Sequence, residues 1–407
     1  MPAITTCPPE SVGLSATRLA RIDAWRQKLV DDGKVAGATT LVMRRGGVAH
    51  CGSSGLADLA RGTAMTAETI HRIYSMTKPL TSVAIMMLYE EGCFQLDDPI
   101  TRFLPGFANQ RVCTGGARGK LETVPAMRDI TVRDLLTHTS GLTYGFMQAT
   151  AVDALYRERG IDFGSAETSL GEVVEALAAL PLIAEPGTAW NYSVSTDLLG
   201  YLVEVVSGQR FAAFLRERLI EPLGMVDTDF HVREGEGARL AANYALDGDR
   251  RLKVIDDPAT SLYLAPRRVH SGGGGLVSTA ADYLRFCRML LNKGELDGVR
   301  YLGRKTVELM MSNHLRGDMA AMGQPRWSES TAEGIGFGLG FSVMLDPARA
   351  QILGTPGECA WGGAASTAFW VDPAEEMAVI LLTQLMPSST WPLRRELRVL
   401  SYQAVID

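Results

Sequence analysis

The feature that most constrains the fold is a mostly apolar run at residues 80–89, which directly follows Ser75-Met76-Thr77-Lys78-Pro79. Its length and composition predict a buried helix, and Pro79 is tolerated in the opening turn because a missing N–H costs least there. This helix start places Ser75 and Lys78 three residues apart on one face. We therefore expect the rest of the chain to pack around this helix.

The same stretch carries candidate chemistry. A serine hydroxyl is a poor nucleophile until a neighbour takes its proton, and a lysine can do so only when burial or a nearby cation has lowered its pKa. The alternative is a helix cap followed by a solvated lysine, because a Ser-x-x-Lys match is weak by itself. The match occurs once in the chain and opens an apolar helix, so we predict Ser75 as a nucleophile and Lys78 as its base.

Composition and charge narrow the class of partner. With 407 residues, of which 46% are hydrophobic and 21% charged, the chain can form one large or two interleaved globular domains. The formal charge of -6, without a long run of Lys and Arg, argues against nucleic acids and anionic membranes as partners. We therefore expect a small-molecule substrate, and the sequence leaves the oligomeric state open.

Cysteines, histidines and the amino end suggest no metal, cofactor or export signal. No Cys-x-x-Cys pair is present and the histidines are dispersed, so we expect neither a metal site nor a cofactor. The first ten residues lack the basic and apolar regions of a secretory signal, which predicts a cytoplasmic protein. The cysteines, most of which we expect to be buried, are Cys7, Cys51, Cys93, Cys113, Cys287 and Cys359.

Periodicity predicts strands near both ends of the chain, together with terminal helices at residues 15–33 and 393–405. The glycines at 46 and 47 indicate a hairpin between the first two strands. Clean alternation of apolar residues from Phe337 to Leu345 predicts a strand with one apolar face. The predicted strands are residues 35–43, 48–51, 337–345, 360–371 and 377–383.

Helical patterns with irregular loops dominate the segment between these two ends. We therefore predict an α/β (α+β) fold with an antiparallel sheet flanked by helices and an inserted helical domain. In this division, residues 1–91 and 271–407 form the sheet domain, and residues 92–270 form the mostly helical insertion.

Two further motifs offer groups that a serine-based reaction needs. The hydroxyl of Tyr192 can relay a proton, and a tyrosine pKa falls beside a lysine ammonium; the alternative is a core aromatic with a satisfied hydroxyl. Residues 359–364 place Gly362 and Gly363 in a predicted strand, where a backbone N–H can stabilise an oxyanion. The alternative there is a bulge without function.

Other candidate motifs carry less weight. His138 could suggest a Ser-His pair, but a lone histidine at a helix end is more often a hydrogen-bonded structural residue. The chain has no Gly-x-Ser-x-Gly sequence, which removes the main support for an α/β-hydrolase triad.

Taken together and in order, these motifs resemble those of the serine β-lactamase and penicillin-binding-protein superfamily, and most closely the family VIII carboxylesterases. The resemblance implies a serine β-lactamase-like fold with the site in the cleft between the two domains. It also implies Ser75 as nucleophile, Lys78 and Tyr192 as the base pair, and the N–H groups of Ser75 and Ala364 as oxyanion donors. The motifs that carry it are Ser75-Met76-Thr77-Lys78, residues 135–142, Pro186-Gly187-Thr188, Tyr192-Ser193 and Trp361-Gly362-Gly363.

Two departures from the β-lactamase pattern bear on the substrate. Trp361-Gly362-Gly363 stands where that pattern has Lys-Thr/Ser-Gly, and Val194 stands where it has Asn. Both changes weaken recognition of anionic, amide-bearing substrates, whereas a neutral ester does not need the missing groups. Candidate substrate contacts are Trp361, Gly362, Gly363, Trp190, Tyr144 and Phe146.

We therefore expect a carboxylesterase, a serine hydrolase that cleaves esters of short to medium acyl chain through an acyl-enzyme on Ser75. Three alternatives stay open at this point. One is a β-lactamase or D-stereospecific peptidase on the same scaffold, and another is an acyltransferase that passes the acyl group to an alcohol. The third is a catalytically inactive binding protein that keeps the fold.

Overall fold

The computed structural model describes residues 4–117, 119–161, 163, 168–323, 329 and 332–407. The α-helices are α1 (Ala16–Asp31), α2 (Thr77–Glu90), α3 (Val132–Leu136), α4 (Ala151–Glu158), α5 (Leu170–Ala178), α6 (Ser195–Ser207), α7 (Phe211–Leu215), α8 (Ala280–Leu291), α9 (Arg304–Met310), α10 (Met319–Met322), α11 (Pro347–Ala350) and α12 (Leu393–Tyr402). The strands are β1 (Gly37–Arg44), β2 (Gly47–Asp58), β3 (Thr63–Ala64), β4 (His71–Arg72), β5 (Arg111–Ala117), β6 (Lys120–Pro125), β7 (Asn243–Leu246), β8 (Leu252–Asp256), β9 (Val277–Ser278), β10 (Glu295–Leu296), β11 (Val299–Arg300), β12 (Ile335–Phe337), β13 (Ser342–Met344), β14 (Cys359–Gly362), β15 (Ala368–Asp372), β16 (Met377–Thr383) and β17 (Leu385–Met386).

The main sheet joins strands from both ends of the chain in the order β12-β13-β14-β15-β16-β1-β2-β3, and its paired strands run antiparallel. Successive residues of β1 point to opposite faces. Val42 packs in the core that α1 and α12 cover, whereas Leu41 packs in the core that holds α2 and α8. The predicted antiparallel sheet flanked by helices is therefore confirmed.

Helix α2 is buried along almost its whole length, from Thr77 to Leu88. A helix without a polar face is stable only where other elements surround it, and α2 packs against α6 and α7. Pro79 lies in its first turn, as predicted. This enclosure holds the Ser-x-x-Lys segment at the start of α2 in a rigid setting.

The first hairpin forms as its glycines predict. Arg45 and Gly46 both have positive φ, 47° and 78°, and two such residues make the tight turn whose twist matches the flanking strands. Strand β2 is longer than predicted and extends to Asp58.

The predicted strand at residues 337–345 is wrong, because the chain reverses within it. Phe337 ends β12 and Ser342 begins β13, and the two strands pair with each other. The turn contains Gly340 with φ of 105°, a conformation that suits glycine. Leu339, like Phe337, is completely buried, so the apolar alternation reflects a turn packed into the core.

The predicted strand at residues 360–371 is also two strands. The turn after Gly362 lets β14 pair with β15, with Trp361 opposite Phe369. Ser366 in this turn has φ of 65°. The reversal places Gly363 and Ala364 at the end of a strand, beside the start of α2.

The chain between α2 and β9 contains α3 to α7 and a π-helical turn at Arg216–Ile220, together with two hairpins. One hairpin, β7–β8, joins β17 by a parallel pairing. The boundaries proposed for the inserted domain at residues 92 and 270 stay a prediction. Among the described residues, no single helix has the length and hydropathy of a membrane span, although the sharply bent pair Ser195–Ser207 and Phe211–Ile220 passes that test jointly.

Candidate active site

Ser75 lies in a short 3-10 turn, Tyr74–Met76, that leads directly into α2. Tyr74 has φ of 42°, which is unusual for a bulky residue and marks a backbone held by its surroundings. The Tyr74 hydroxyl accepts a hydrogen bond of 2.9 Å from Nδ2 of Asn243. The turn therefore presents Ser75 from a rigid corner of the main chain.

Lys78 is buried, with 1% of its surface exposed. Its Nζ donates to the carbonyl oxygen of Gly273 at 2.7 Å and lies 3.3 Å from Oγ of Ser75. The rings of Tyr192 and Tyr144 face the same nitrogen at 4.5 and 5.4 Å. The alternative of a solvated lysine is therefore excluded by this structure.

Tyr192 reaches the same serine from the segment before α6. Its hydroxyl donates to Oγ of Ser75 at 2.6 Å. The ring is held by packing, with the His138 ring at 5.0 Å and the Trp361 ring at 5.6 Å. The structure thus brings together the three polar side chains predicted from the sequence, and both partners lie within reach of the Ser75 proton.

Asp197 is a buried member of this site that the sequence analysis missed. It accepts hydrogen bonds from the Gly273 N–H at 2.9 Å and from the hydroxyl of Ser271. Burial raises its pKa, while the charge of Lys78 opposes the rise. Asp197 therefore holds Gly273 by its N–H, and the carbonyl of the same residue binds Lys78; its position in a helix did not reveal this role.

His138 is a neighbour of the site and not a partner of Ser75. Burial, followed by the charge of Lys78, lowers its pKa well below the usual value. Its Nδ1 lies 3.2 Å from the hydroxyl oxygen of Ser193. His138 is thus a buried histidine in hydrogen-bond contact with Ser193, which is the structural role expected for it.

A cavity of about 600 Å³ opens in front of Ser75. Apolar surface makes up most of its wall, which is the usual character of a site for small organic molecules. Tyr144, a predicted wall residue, is not among the lining side chains: its hydroxyl donates to Asp197 and its ring faces Lys78. The predicted residues that line the cavity are Ser75, Phe146, Trp190, Tyr192, Trp361, Gly362, Gly363 and Ala364.

The two predicted oxyanion donors border this cavity. Neither the N–H of Ser75 nor that of Ala364 donates to a protein acceptor within the described part of the chain. A side chain at Gly363 would overlap the carbonyl oxygen of Ile73 and the hydroxyl of Thr367. The glycine therefore allows the β14 end to approach the turn that carries Ser75.

The described residues contain no group of three or more His, Cys, Asp or Glu side chains that could hold a metal ion. The polar groups nearest Ser75 are an amine, a phenol and backbone amides. These groups are donors and bases suited to moving protons and binding an oxyanion.

Comparison with known protein families gives the same kind of site as the geometry around Ser75. Residues 22–403 match the family described as Beta-lactamase. The chain belongs to the beta-lactamase family. This serine-hydrolase family also accounts for the predicted resemblance to family VIII carboxylesterases, which is thereby confirmed.

Relatives of this beta-lactamase-family protein include esterases. Esterase EstB of Burkholderia gladioli is 34% identical over 394 residues, which cover 92% of this chain and 93% of EstB. Protein Rv1367c of Mycobacterium tuberculosis is 37% identical over 369 residues, which cover 89% of this chain and 88% of the relative. The structure of EstCE1, described as a hydrolase with promiscuous acyltransferase activity, has a TM-score of 0.79 at 27% identity and covers 95% of this chain and 99% of its own. The serine β-lactamase-like fold is therefore confirmed.

Proposed function

We propose that this protein is a carboxylesterase that cleaves esters of short to medium acyl chain through an acyl-enzyme on Ser75. The observation that carries the proposal is the contact of one hydroxyl with a phenol and an amine, two groups able to exchange protons with it, at the mouth of an apolar cavity. Oγ of Ser75 lies 2.6 Å from the Tyr192 oxygen and 3.3 Å from Nζ of Lys78. This arrangement is that of an activated nucleophile with its base.

In the acylation step, the Tyr192–Lys78 pair starts with one of its two groups unprotonated, and Oγ of Ser75 attacks the ester carbonyl carbon while its proton passes to that pair. The carbonyl oxygen becomes an oxyanion, which the N–H groups of Ser75 and Ala364 stabilise. When the tetrahedral intermediate collapses, the C–O bond to the alcohol breaks and Tyr192 returns the proton to the departing alkoxide. The acyl group remains on Ser75.

In the deacylation step, water replaces the alcohol and the same groups act in reverse. The Tyr192–Lys78 pair takes a proton from water as its oxygen attacks the acyl carbon, and Ser75 regains a proton as it leaves. No redox step occurs, and the products are a carboxylic acid and the free alcohol.

The cavity wall favours a neutral ester. Trp361 occupies a place where the β-lactamase pattern has a lysine, and the rings of Trp190 and Phe146 add apolar surface to the wall. Such surface gains free energy from an alkyl or aryl group, and the Trp361 position lacks the lysine that would pair with an anion, although Arg394, Arg395 and Arg398 also border the cavity. The relative EstB, which is named as an esterase, points in the same direction.

Acyl transfer to an alcohol is a second candidate function. It uses the same acyl-enzyme, with an alcohol in place of water, and EstCE1 is described as a hydrolase with promiscuous acyltransferase activity. The two outcomes differ only in which acceptor attacks, so a wide apolar cavity that admits an alcohol serves both reactions.

The test compares kcat/KM on p-nitrophenyl butyrate with that on nitrocefin. Our proposal predicts a clear preference for the ester, and the Ser75→Ala variant should lose turnover of both compounds. A preference for nitrocefin would assign β-lactamase activity instead. Addition of an alcohol acceptor tests for the acyltransferase, because transesterification that exceeds hydrolysis identifies that activity.

A further inference from the structure

Arg394, in the first turn of α12, contacts the backbone of the predicted oxyanion hole. Its Nη2 donates to the carbonyl oxygen of Gly363 at 2.9 Å and to that of Thr367 at 3.1 Å. A side chain at Gly362 would overlap this guanidinium, so the glycine lets the cation lie directly against the strand. Arg394 also borders the cavity that contains Ser75.

The Gly363 carbonyl and the Ala364 N–H belong to one peptide unit. The only cis peptide bond in the described residues is Met386-Pro387, so this unit is trans and its C=O and N–H point in opposite directions. A donor that holds the carbonyl on one side therefore determines where the N–H points on the other. A charged donor also holds the carbonyl more strongly than a neutral one.

Other contacts restrain the same assembly. The Gly363 N–H donates to the Thr367 carbonyl at 2.9 Å, which closes the turn that Arg394 bridges. In addition, Nε of Arg394 lies 3.8 Å from Oε1 of Glu329. Burial lowers the pKa of Arg394, and Glu329 and Tyr192 oppose that change.

We infer that Arg394 is a positioning residue for the oxyanion hole: its guanidinium holds the 363–364 peptide by the carbonyl and aims the Ala364 N–H at the oxyanion. This inference rests on the proposed function of Ser75. An arginine is charged at all working pH values and takes no part in proton transfer. Its contribution is to the tetrahedral state, where the carbonyl oxygen carries negative charge.

The experiment measures kcat and KM on p-nitrophenyl butyrate, together with the affinity for an alkyl trifluoromethyl ketone, whose adduct with a serine carries an oxyanion. In Arg394→Gln, we expect kcat to fall about 100-fold, the scale of losing one oxyanion donor, with KM changed less than about threefold. The affinity for the ketone should fall by a similar factor, and the pH profile of kcat should keep its shape.

Arg304→Gln is the matched control, because Arg304 begins α9, pairs with Glu308 at the surface and does not line the cavity. It should keep kcat within about threefold of the parent enzyme. Arg394→Lys retains the charge but replaces the planar guanidinium with a point charge on a shorter, more flexible side chain, so we expect an intermediate loss of about tenfold. This variant decides the question if Arg394→Gln fails to fold.

The inference fails if every folded Arg394 variant keeps the kcat and the ketone affinity of the parent enzyme. It also fails if Arg394 substitution raises KM only, and only for esters that carry a carboxylate, because Arg394 would then bind substrate charge. A parent enzyme without ester hydrolysis would instead overturn the proposed function. The two failures are therefore distinguishable in one set of measurements.

Discussion

The phenolic oxygen of Tyr192 lies 2.6 Å from Oγ of Ser75, although 117 residues separate them in the chain. Packing among aromatic rings fixes the tyrosine, and the turn before α2 fixes the serine. Neither group has to move far for a proton to pass between them. The contact is therefore suited to protonating a leaving alkoxide.

The first prediction concerns this hydroxyl. Tyr192→Phe keeps the ring but removes the O–H, so kcat on an alkyl ester such as ethyl butyrate should fall about 100-fold or more, because its alkoxide needs a proton from a general acid as it leaves. Tyr301→Phe is a suitable control, since that hydroxyl donates to the Pro222 carbonyl and does not line the cavity. Equal activity in the two variants would remove Tyr192 from the mechanism.

The second prediction concerns Lys78. In Lys78→Met, kcat should fall about 1000-fold because no amine remains to take the Ser75 proton. The fold should persist, since methionine fills a similar buried volume without a charge. Thermal melting checks the fold, and Lys305→Met, at a side chain that is 79% exposed, should leave kcat unchanged. Near-normal turnover by Lys78→Met would exclude the lysine as base.

The third prediction concerns the turn after β14. Gly363→Ala places a methyl group against the carbonyl oxygen of Ile73 and the hydroxyl of Thr367, so the Ala364 N–H must shift. We expect kcat to fall about 100-fold, as for a lost oxyanion donor, with a cost of about 1–3 kcal/mol in unfolding free energy. Gly248→Ala, which meets no atom within 4 Å, should change neither quantity.

The fourth prediction concerns stability in acid. Burial lowers the pKa of His71 from 6.5 to about 3, so the unfolded chain binds a proton that the folded protein does not. Well above pH 6.5, His71 is neutral in both states and takes nothing from the free energy of unfolding. As the pH drops from 6.5 towards about 3, protonation of the unfolded chain lowers that free energy.

The measurement is the free energy of unfolding in denaturant at pH 7 and at pH 5. His71 should account for about 2 kcal/mol of the loss between these values. Between pH 7 and pH 5, the free energy of unfolding of His71→Phe should therefore fall by about 2 kcal/mol less than that of the parent protein. An identical loss in both proteins would show that His71 carries a proton in the folded state.

How much the sequence could predict is clearest from two contrasting regions. Ser75, Lys78 and the burial of α2 were predictable because they are close in the chain and follow local helix rules. Asp197 and Arg394 were not, because their contacts with Gly273 and Gly363 join segments distant in sequence. The prediction of one strand at residues 337–345 was wrong because contacts with the core bury the turn residue Leu339, which gives the apolar alternation expected of a strand.

The most direct test of the account is labelling with a fluorophosphonate followed by peptide mapping, since this reagent reacts with an activated serine. We predict one adduct per chain, located on Ser75, and labelling at least about 100-fold slower in Lys78→Met. The absence of an adduct, or an adduct on a different serine, would contradict the claim that Lys78 and Tyr192 activate Ser75.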